Sequence, residues 1–178
     1  MATLGLIVLA LAVLVIVWAV FAYNRIVTAR NRADSSWSQV DVELRRRRDL
    51  VPRLVDAVGG YATHERETFD RVATARSAAE GAAGPAQASA AEGSLGAAVG
   101  RLLAVGEAYP ELRAQERFSE LVRELHDTEG RIAIARQVYN DTALTYNNRI
   151  QTAPTSFLGW AMRLGLRPLA YFEPEGTA

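Results

Sequence analysis

The chain has 178 residues, 49% of them hydrophobic, and its 20 Arg are balanced by 20 Asp and Glu, which gives a formal net charge of zero. This balance excludes a bulk electrostatic field that would draw in nucleic acid, so an electrostatic partner must meet a local patch. The absence of Cys excludes disulfide bonds, thiolate metal ligands and cysteine nucleophiles.

The first predicted element is a membrane-spanning helix. Residues 4–23 form an uncharged apolar run, which at about 1.5 Å per residue spans a hydrocarbon core of about 30 Å. Trp18 and Tyr23 lie near its C-terminal end, where aromatic rings favour the membrane interface. The sequence therefore predicts an anchor over residues 1–24, with residues 4–23 in contact with the lipid bilayer.

The charges around this run predict its orientation. Arg25, Arg30 and Arg32 follow it, and no basic side chain precedes it. By the positive-inside rule, we expect the N-terminus outside and the rest of the chain in the cytoplasm. A cleaved signal peptide is disfavoured because the basic n-region is missing and Val20-Phe21-Ala22 is a poor cleavage site. The opposite orientation stays open.

The rest of the chain shows helical periodicity without strand-like alternation. In the first helix after the anchor, Gly59-Gly60 is the expected end, and Pro52 is expected to bend the helix or end a segment of it. Apolar residues recur there at steps of three and four. They are Trp37, Val40, Leu44, Val51, Leu54 or Val55, and Val58.

A second helix is predicted from about Tyr61 to Gly81. Its expected inner face consists of Tyr61, Glu65, Phe69, Val72, Ala75 and Ala79. The following stretch GAAGPAQASAAEGS is rich in small and turn-forming residues, so a flexible connection is predicted over about residues 81–94. Within it, Ser89 and Glu92 have the spacing of a capping box for the next helix.

Two further helices complete the predicted architecture. The third ends at Tyr109-Pro110, and its glycines Gly96 and Gly100, with Ala104, form a thin face for close approach of another helix. The fourth continues to Pro154, and a short apolar helix is expected over about 156–164. The apolar stripe of the third is Leu95, Val99, Leu102, Val105 and Tyr109; that of the fourth is Phe118, Leu121 or Val122, Leu125, Ile132, Ala135, Tyr139, Ala143, Tyr146 and Ile150.

The predicted fold class is therefore all-α. We expect an N-terminal transmembrane helix over residues 1–24, followed over residues 25–178 by an antiparallel bundle of about four long helices. The bundle is expected to pack along apolar stripes close to a heptad repeat, as in a coiled coil.

Charged residues interrupt two of the apolar stripes. The run Arg45–Arg48 has acidic neighbours at ion-pair spacing, as in the pairs Asp41–Arg45, Glu43–Arg47 and Asp49–Arg53, and is expected to be a solvated face rather than a binding patch. Arg47 or Arg48 nevertheless falls inside the first stripe, and Glu129 falls inside the fourth. Because a buried charge is costly alone, an interhelical pair of these residues is predicted. Replacing Glu129 by Leu is then expected to cost about 3 to 5 kcal/mol.

The sequence carries no catalytic motif that we would assign. His64 and His126 are single histidines, and HERET fails the zinc pattern HExxH because residue 68 is Thr. The patterns GxSxG, GxxxxGK and GxGxxG do not occur. We therefore predict no catalytic, cofactor-binding or metal-binding residues, no cofactor, and no small-molecule substrate.

The order of several motifs resembles the LemA family of bacterial single-pass membrane proteins. The motifs are Tyr23-Asn24, RRRRDLVPRLVDAVGGYATHE from Arg45, AYPELRA from Ala108, FSELVRELHDTEGRIAIARQVYN from Phe118, Tyr146-Asn147, Pro154, and Tyr171-Phe172-Glu173. The resemblance covers nearly the whole chain and implies an N-terminal anchor with an antiparallel helical bundle in the bacterial inner membrane. It implies no reaction or cofactor, and one branch of the family resembles proteins of bacterial organelle-membrane formation.

These features predict a membrane-anchored interaction or scaffold protein that is not an enzyme. Its expected partners are the bilayer and an unidentified protein, with no nucleic acid. The alternative is a membrane-shaping or lipid-binding protein that acts through the bundle and the apolar stretch TSFLGWAMRLGLRPLAYF, residues 155–172, which would otherwise cover the end of the bundle. An enzyme with its site hidden inside the bundle is a third alternative.

Overall fold

The computed structural model describes residues 1–62, 64–156 and 165–173 of the chain. Within these residues the regular structure is entirely helical and contains no strand, which confirms the all-α class. The helices are α1 (Ala2–Gly59), α2 (Arg66–Gly81), α3 (Gly84–Glu107), α4 (Pro110–Arg113) and α5 (Glu116–Gln151).

Helix α1 runs without interruption from Ala2 to Gly59, with Pro52 inside it. The prediction that Pro52 ends a helical segment is wrong. Proline costs the helix one backbone hydrogen bond, but the neighbouring Val51 and Leu54 are fully buried and hold this part of α1 in the core. The predicted stop at Gly59 is confirmed, and the amides of Tyr61 and Ala62 then bond to the carbonyl of Val58 in a turn.

The chain divides into two compact units, to which α1 and α5 both contribute. The first unit comprises Met1–Ser35 and Asp141–Leu169, and the second comprises Ser36–Asn140 with the chain from Ala170 onward. The predicted division into an anchor over 1–24 and a bundle over 25–178 stays a prediction.

The first unit begins with the apolar part of α1. This helix is long and apolar enough to cross a membrane, and its most apolar 18-residue window, with a mean hydropathy of 3.1, is not buried at all inside the protein. Ile26 and Ala29, which follow the span, pack against Tyr146 and Ile150 of α5. Asn147 binds the backbone of Leu169 in both directions, donating to its carbonyl at 2.9 Å and accepting from its amide at 2.8 Å.

The second unit contains the larger apolar core, to which all five helices or the turns beside them contribute. Its buried members are Leu50, Val51, Leu54, Val58, Ala62, Val72, Ala79, Leu95, Ala98, Val99, Leu102, Leu112, Phe118, Leu121 and Leu125. Beside it, Trp37 packs edge-on against Tyr139 and Phe172, with ring centroids 5.3 and 5.6 Å away. Residues of the predicted apolar stripes therefore form the core, except that the placement of Glu65 on the inner face of the second helix is wrong, because Glu65 is exposed and precedes α2.

Helix α3 starts earlier than predicted. The flexible connection expected over 81–94 is wrong, because α3 begins at Gly84 and only two residues separate it from α2. The segment is rich in Ala, the strongest helix former, and Pro85 lies in the first helical turn, where its missing amide costs nothing. The capping box of Ser89 and Glu92 is wrong as well, because both residues lie inside α3.

The remaining boundaries differ only in detail. Helix α2 begins at Arg66 rather than near Tyr61, because Tyr61 and Ala62 belong to the turn that ends α1. Pro110 follows the third helix as predicted but opens the four-residue helix α4. The predicted short helix over 156–164 lies, apart from Ser156, outside the described residues.

Candidate functional site

Three buried charged residues lie together in the second unit. Arg47 and Arg48 of α1 are 7% and 9% exposed, and Glu92 of α3 is 1% exposed. We call these three residues the buried charge cluster. Burial of ionised groups is costly unless they are paired, so each of the three side chains is expected to have an ionic or hydrogen-bonding partner nearby.

The pairing inside the buried charge cluster is electrostatic but incomplete. The distance from Arg47 Nη1 to Glu92 Oε2 is 3.6 Å, and that from Arg48 Nε to Glu92 Oε1 is 3.7 Å. Among the described residues, neither carboxylate oxygen of Glu92 accepts a hydrogen bond. Two guanidinium groups therefore attract Glu92 without replacing the hydrogen bonds that water would give it.

Arg48 also binds the C-terminal end of α2. Its Nη1 donates to the carbonyl of Ala79 at 2.6 Å, and in return Arg76 Nε donates to the carbonyl of Arg48 at 3.2 Å. The last carbonyls of a helix have no partner within the helix and carry the negative end of its dipole. Arg48 therefore adds a charged donor to a carbonyl that otherwise accepts only a long bond, at 3.4 Å, from the amide of Ala82.

Arg47 lies against Gly96 of α3. A Cβ atom placed on Gly96 would come within 2.7 Å of Nη2 of Arg47, so this position has room for the guanidinium only because it is glycine. The predicted thin face of α3 is therefore used here by a side chain. At Gly100 an added Cβ would have no atom of the described residues within 4 Å, so none of them approaches α3 closely there.

The predicted pair of Arg47 with Glu129 is present, with 3.0 Å between Nε and Oε1. The prediction that Glu129 occupies the buried stripe of α5 is wrong, because its side chain is 42% exposed. Thr128, which is fully buried, takes that position, and its hydroxyl donates to the carbonyl of Glu124 at 2.7 Å. A hydroxyl bonded back to its own helix costs less to bury than a carboxylate.

Burial raises the pKa of Glu92 above its ordinary value of 4.5. The positive charges of Arg47 and Arg48 act in the opposite direction, while the negative charges of Glu129 and Asp41 add to the effect of burial. Desolvation disfavours the ionised form of a carboxyl group. Glu92 is therefore the group of this cluster that responds to a change in pH by taking up a proton.

The buried charge cluster borders a surface cleft of about 470 Å³ in the second unit. Arg45 and Arg48 line it together with four acidic residues, Asp41, Asp49, Glu80 and Glu92. Acidic residues therefore outnumber basic ones in its lining, which disfavours an anionic ligand. Among the described residues, no group of three or more His, Cys, Asp or Glu side chains is arranged to hold a metal ion.

The remainder of the arginine run is only partly the solvated face that was predicted. Arg45 pairs with Asp41 at 2.6 Å as expected, and Arg46 is exposed. Arg53, expected to pair with Asp49, lies 3.1 Å from Glu124 of α5. The two middle arginines are buried, and Arg47 pairs with Glu92 and Glu129 instead of the predicted Glu43.

The two histidines lie at the surface, His126 on α5 and His64 in the turn before α2. Sequence reasoning missed Glu92, although a signal was available. The buried positions of α3 recur as 88, 92, 95, 99 and 102, so a step of three residues back from Leu95 leads to Glu92. The Gly and Ser residues of this segment instead favoured the prediction of a flexible connection, so the helical period was not extended back to Glu92.

Comparison with known proteins matches residues 36–178 to the LemA family. The magnetosome protein MamQ of Magnetospirillum gryphiswaldense is 29% identical over 86% of the chain. The magnetosome protein MamQ 2 of Paramagnetospirillum magneticum is 27% identical over the same share. In both cases the match covers 65% of the relative, so the chain spans less than two thirds of the length of these proteins.

Proposed function

This chain belongs to the LemA family, and we propose that it is a membrane-tethered scaffold that docks a protein partner and catalyses no reaction. The observation that carries the proposal is the continuity of α1. The same helix contains the exposed apolar span and, further along, Arg47 and Arg48 of the buried charge cluster. Membrane insertion and the packing of the second unit therefore share one structural element.

The proposed architecture of the second unit is an antiparallel four-helix bundle made from α1, α2, α3 and α5. Three contacts between α1 and α5 support it, namely Trp37 with Tyr139, Arg47 with Glu129, and Arg53 with Glu124. Residue numbers rise along α1 while they fall along α5, which is the order of antiparallel neighbours. The two-residue connection between α2 and α3 also suits antiparallel helices.

The chemistry of the buried charge cluster favours a structural role over catalysis. Arg48 is engaged by the carbonyl of Ala79, and Arg47 by Glu129 and Glu92. A guanidinium cannot lose its proton near neutral pH, so neither Arg is a proton donor or acceptor for a substrate. Buried charged groups of this kind can fix the register of packed helices.

A groove of about 460 Å³ on the second unit is the proposed docking surface. Arg45, Arg46 and Arg53 line it, together with Asp49 and the half-exposed carboxylate of Glu124. Val42 at the same groove is 62% exposed. Arg45 and Arg53 already pair with Asp41 and Glu124, so an exposed apolar side chain beside Arg46 suits a partner with an apolar residue next to an acidic one.

The test is purification of the full-length protein from detergent-solubilised membranes, followed by identification of what remains bound. We expect a stoichiometric protein partner, lost in the variant Val42→Glu and retained in the control Ala104→Glu, which changes an exposed position of α3. Recovery of lipid alone from the unaltered protein would contradict the docking proposal.

The proposed location is the bacterial inner membrane, with the second unit in the cytoplasm. Arg25, Arg30 and Arg32 directly follow the apolar span, and such clusters favour the cytoplasmic side. A reporter that is active only in the cytoplasm should be active when fused after Ala178. Activity of a periplasmic reporter at the same position would overturn this orientation.

A membrane-shaping or lipid-binding role is the second candidate. The matched relatives are named as magnetosome proteins, which favours a role at a specialised membrane. In the described part of the apolar stretch 155–172, Leu166 and Leu169 pack against the core of the first unit and Phe172 is fully buried in the second. These three side chains therefore give the lipid-binding role no support, and residues 157–164 lie outside the described part of the chain.

A further inference from the structure

A second cleft, of about 360 Å³, lies in the first unit where the apolar span of α1 ends. Its wall includes Trp18, Phe21 and Arg25 of α1, and Arg149 with Pro154 and Thr155 at the end of α5. We call it the juxtamembrane cleft. Its position on α1 places it beside the predicted membrane interface.

One end of the juxtamembrane cleft is apolar. Phe21 is 66% exposed and Trp18 is 39% exposed, and both belong to the run of residues that is expected to lie in the bilayer. Trp side chains favour the level of the lipid headgroups. This end of the cleft therefore suits an acyl chain rather than a water-soluble ligand.

The other end of the cleft wall, past the apolar span, includes Arg25 and Arg149. Arg149 Nη1 donates to the backbone carbonyl of Arg25 at 2.8 Å, which holds the Arg149 side chain against α1. Within the part of the chain that the structure describes, neither Arg149 nor Arg25 forms an ion pair. Two arginines in one cleft wall, one of them fixed in place by the backbone, favour a ligand with an anionic oxygen.

The charge of the first unit points to the same ligand class. Although the whole chain is neutral, residues 1–35 and 141–169 contain six Arg and two Asp, a net charge of +4. The arginines are Arg25, Arg30, Arg32, Arg149, Arg163 and Arg167, and the aspartates are Asp34 and Asp141. Basic groups beside a membrane-spanning helix attract anionic lipids.

We propose that the juxtamembrane cleft binds one anionic phospholipid, with its phosphate between Arg25 and Arg149 and an acyl chain along Phe21 and Trp18. The proposal rests on the proposed membrane attachment of α1 but not on the protein partner. Free phosphate would satisfy only the basic end of the cleft, and an uncharged lipid only the apolar end. An anionic phospholipid matches both.

The test uses the full-length protein in detergent, exchanged into nanodiscs that contain phosphatidylcholine with a minor fraction of phosphatidylglycerol. Native mass spectrometry then measures which lipid remains bound when the disc is removed. We expect retention of one phosphatidylglycerol in strong preference to phosphatidylcholine. Arg149→Gln and Arg25→Gln should each reduce this preference about 5-fold, and the double variant about 30-fold.

Two controls separate the cleft from general charge. Arg30→Gln removes an arginine of the same unit that already pairs with Asp34 at 3.1 Å, and it should leave the preference unchanged. Arg149→Lys keeps a positive charge at the site and should retain most of the preference, which separates lost binding from lost folding.

Three results would overturn the proposal. They are equal retention of the two lipids, an effect of Arg30→Gln as large as that of Arg149→Gln, and displacement of the bound lipid by inorganic phosphate. Failure of the proposed protein docking would leave this measurement unaffected, since it contains no partner protein. Failure of membrane attachment would appear separately, as absence of the protein from nanodiscs of either lipid.

Discussion

Replacing Gly96 by Ala tests the position of Arg47 without changing any charge. In an ordinary helix this substitution stabilises a protein by about 0.5 to 1 kcal/mol, because Gly loses more backbone freedom on folding. At Gly96 the new Cβ would meet Nη2 of Arg47 at 2.7 Å. That atom belongs to a long side chain, but the side chain is buried and held by Glu92 and Glu129.

The displacement of Arg47 sets the expected magnitude. Overpacking a well-filled site costs about 1 to 3 kcal/mol, which offsets the helical gain and leaves Gly96→Ala neutral to about 2 kcal/mol less stable than the unaltered protein. Gly100→Ala is the matched control, four residues further along α3, where an added Cβ has no atom within 4 Å. It should be stabilising, so the two variants should differ by about 2 kcal/mol.

The assay is chemical denaturation of the full-length protein in mild detergent, followed by far-UV circular dichroism. Equal stabilisation by Gly96→Ala and Gly100→Ala would refute the reasoning, because it would mean that Arg47 does not lie against α3. Restoring the lost stability by adding Arg47→Met to Gly96→Ala would support it, since the shorter side chain leaves room for the methyl group.

Three further predictions use the same assay. Because folding raises the pKa of Glu92, the folded state binds more protons than the unfolded state above pH 4.5. The free energy of unfolding should therefore fall as the pH rises from 4.5 to the folded pKa, by at most about 1.4 kcal/mol per pH unit. Glu92→Gln should remove that fall. Gly106→Ala should cost about 1 to 3 kcal/mol, because its Cβ would lie 2.7 Å from Phe118; no loss would contradict that contact. Glu129→Leu should cost only about 1 kcal/mol, because the carboxylate is half exposed and the buried Arg47 keeps Glu92 as a partner; a loss of 3 kcal/mol would mean that Glu92 does not compensate Arg47.

The helices of this protein could be predicted because their apolar stripes are regular. On α5 the residues Leu125, Ile132, Tyr139 and Tyr146 recur every seven positions, and all four are buried. Such a period leaves few alternatives for which face of a helix packs inward. The membrane span could be predicted for the same reason, since its apolar run has no interruption.

The local details that failed depend on what lies across the helix interface. Either residue 128 or residue 129 occupies the buried position between Leu125 and Ile132 of α5. Thr128 is the buried one because a hydroxyl costs less to bury than a carboxylate. The start of α3 depended on whether Gly84 and Ser89 would be solvated or would continue a helix. The sequence alone is compatible with a solvated connection and with a helix, and packing of α3 against α1 and α2 favours the helix.

The two adjacent arginines of α1 share Glu92 of α3 and otherwise contact different helices, and this accounts for their shared burial. Successive residues of a helix point about 100° apart, so Arg47 reaches Gly96 of α3 while Arg48 reaches the carbonyl of Ala79 on α2. A shift of α1 by one position would turn Arg47 away from Gly96, where the missing Cβ leaves room for its guanidinium. Because Arg cannot become neutral, such a shift would also take a buried positive charge away from Glu92. Burial of this cluster has a cost, because desolvation raises the pKa of Glu92 even though two arginines lie beside it.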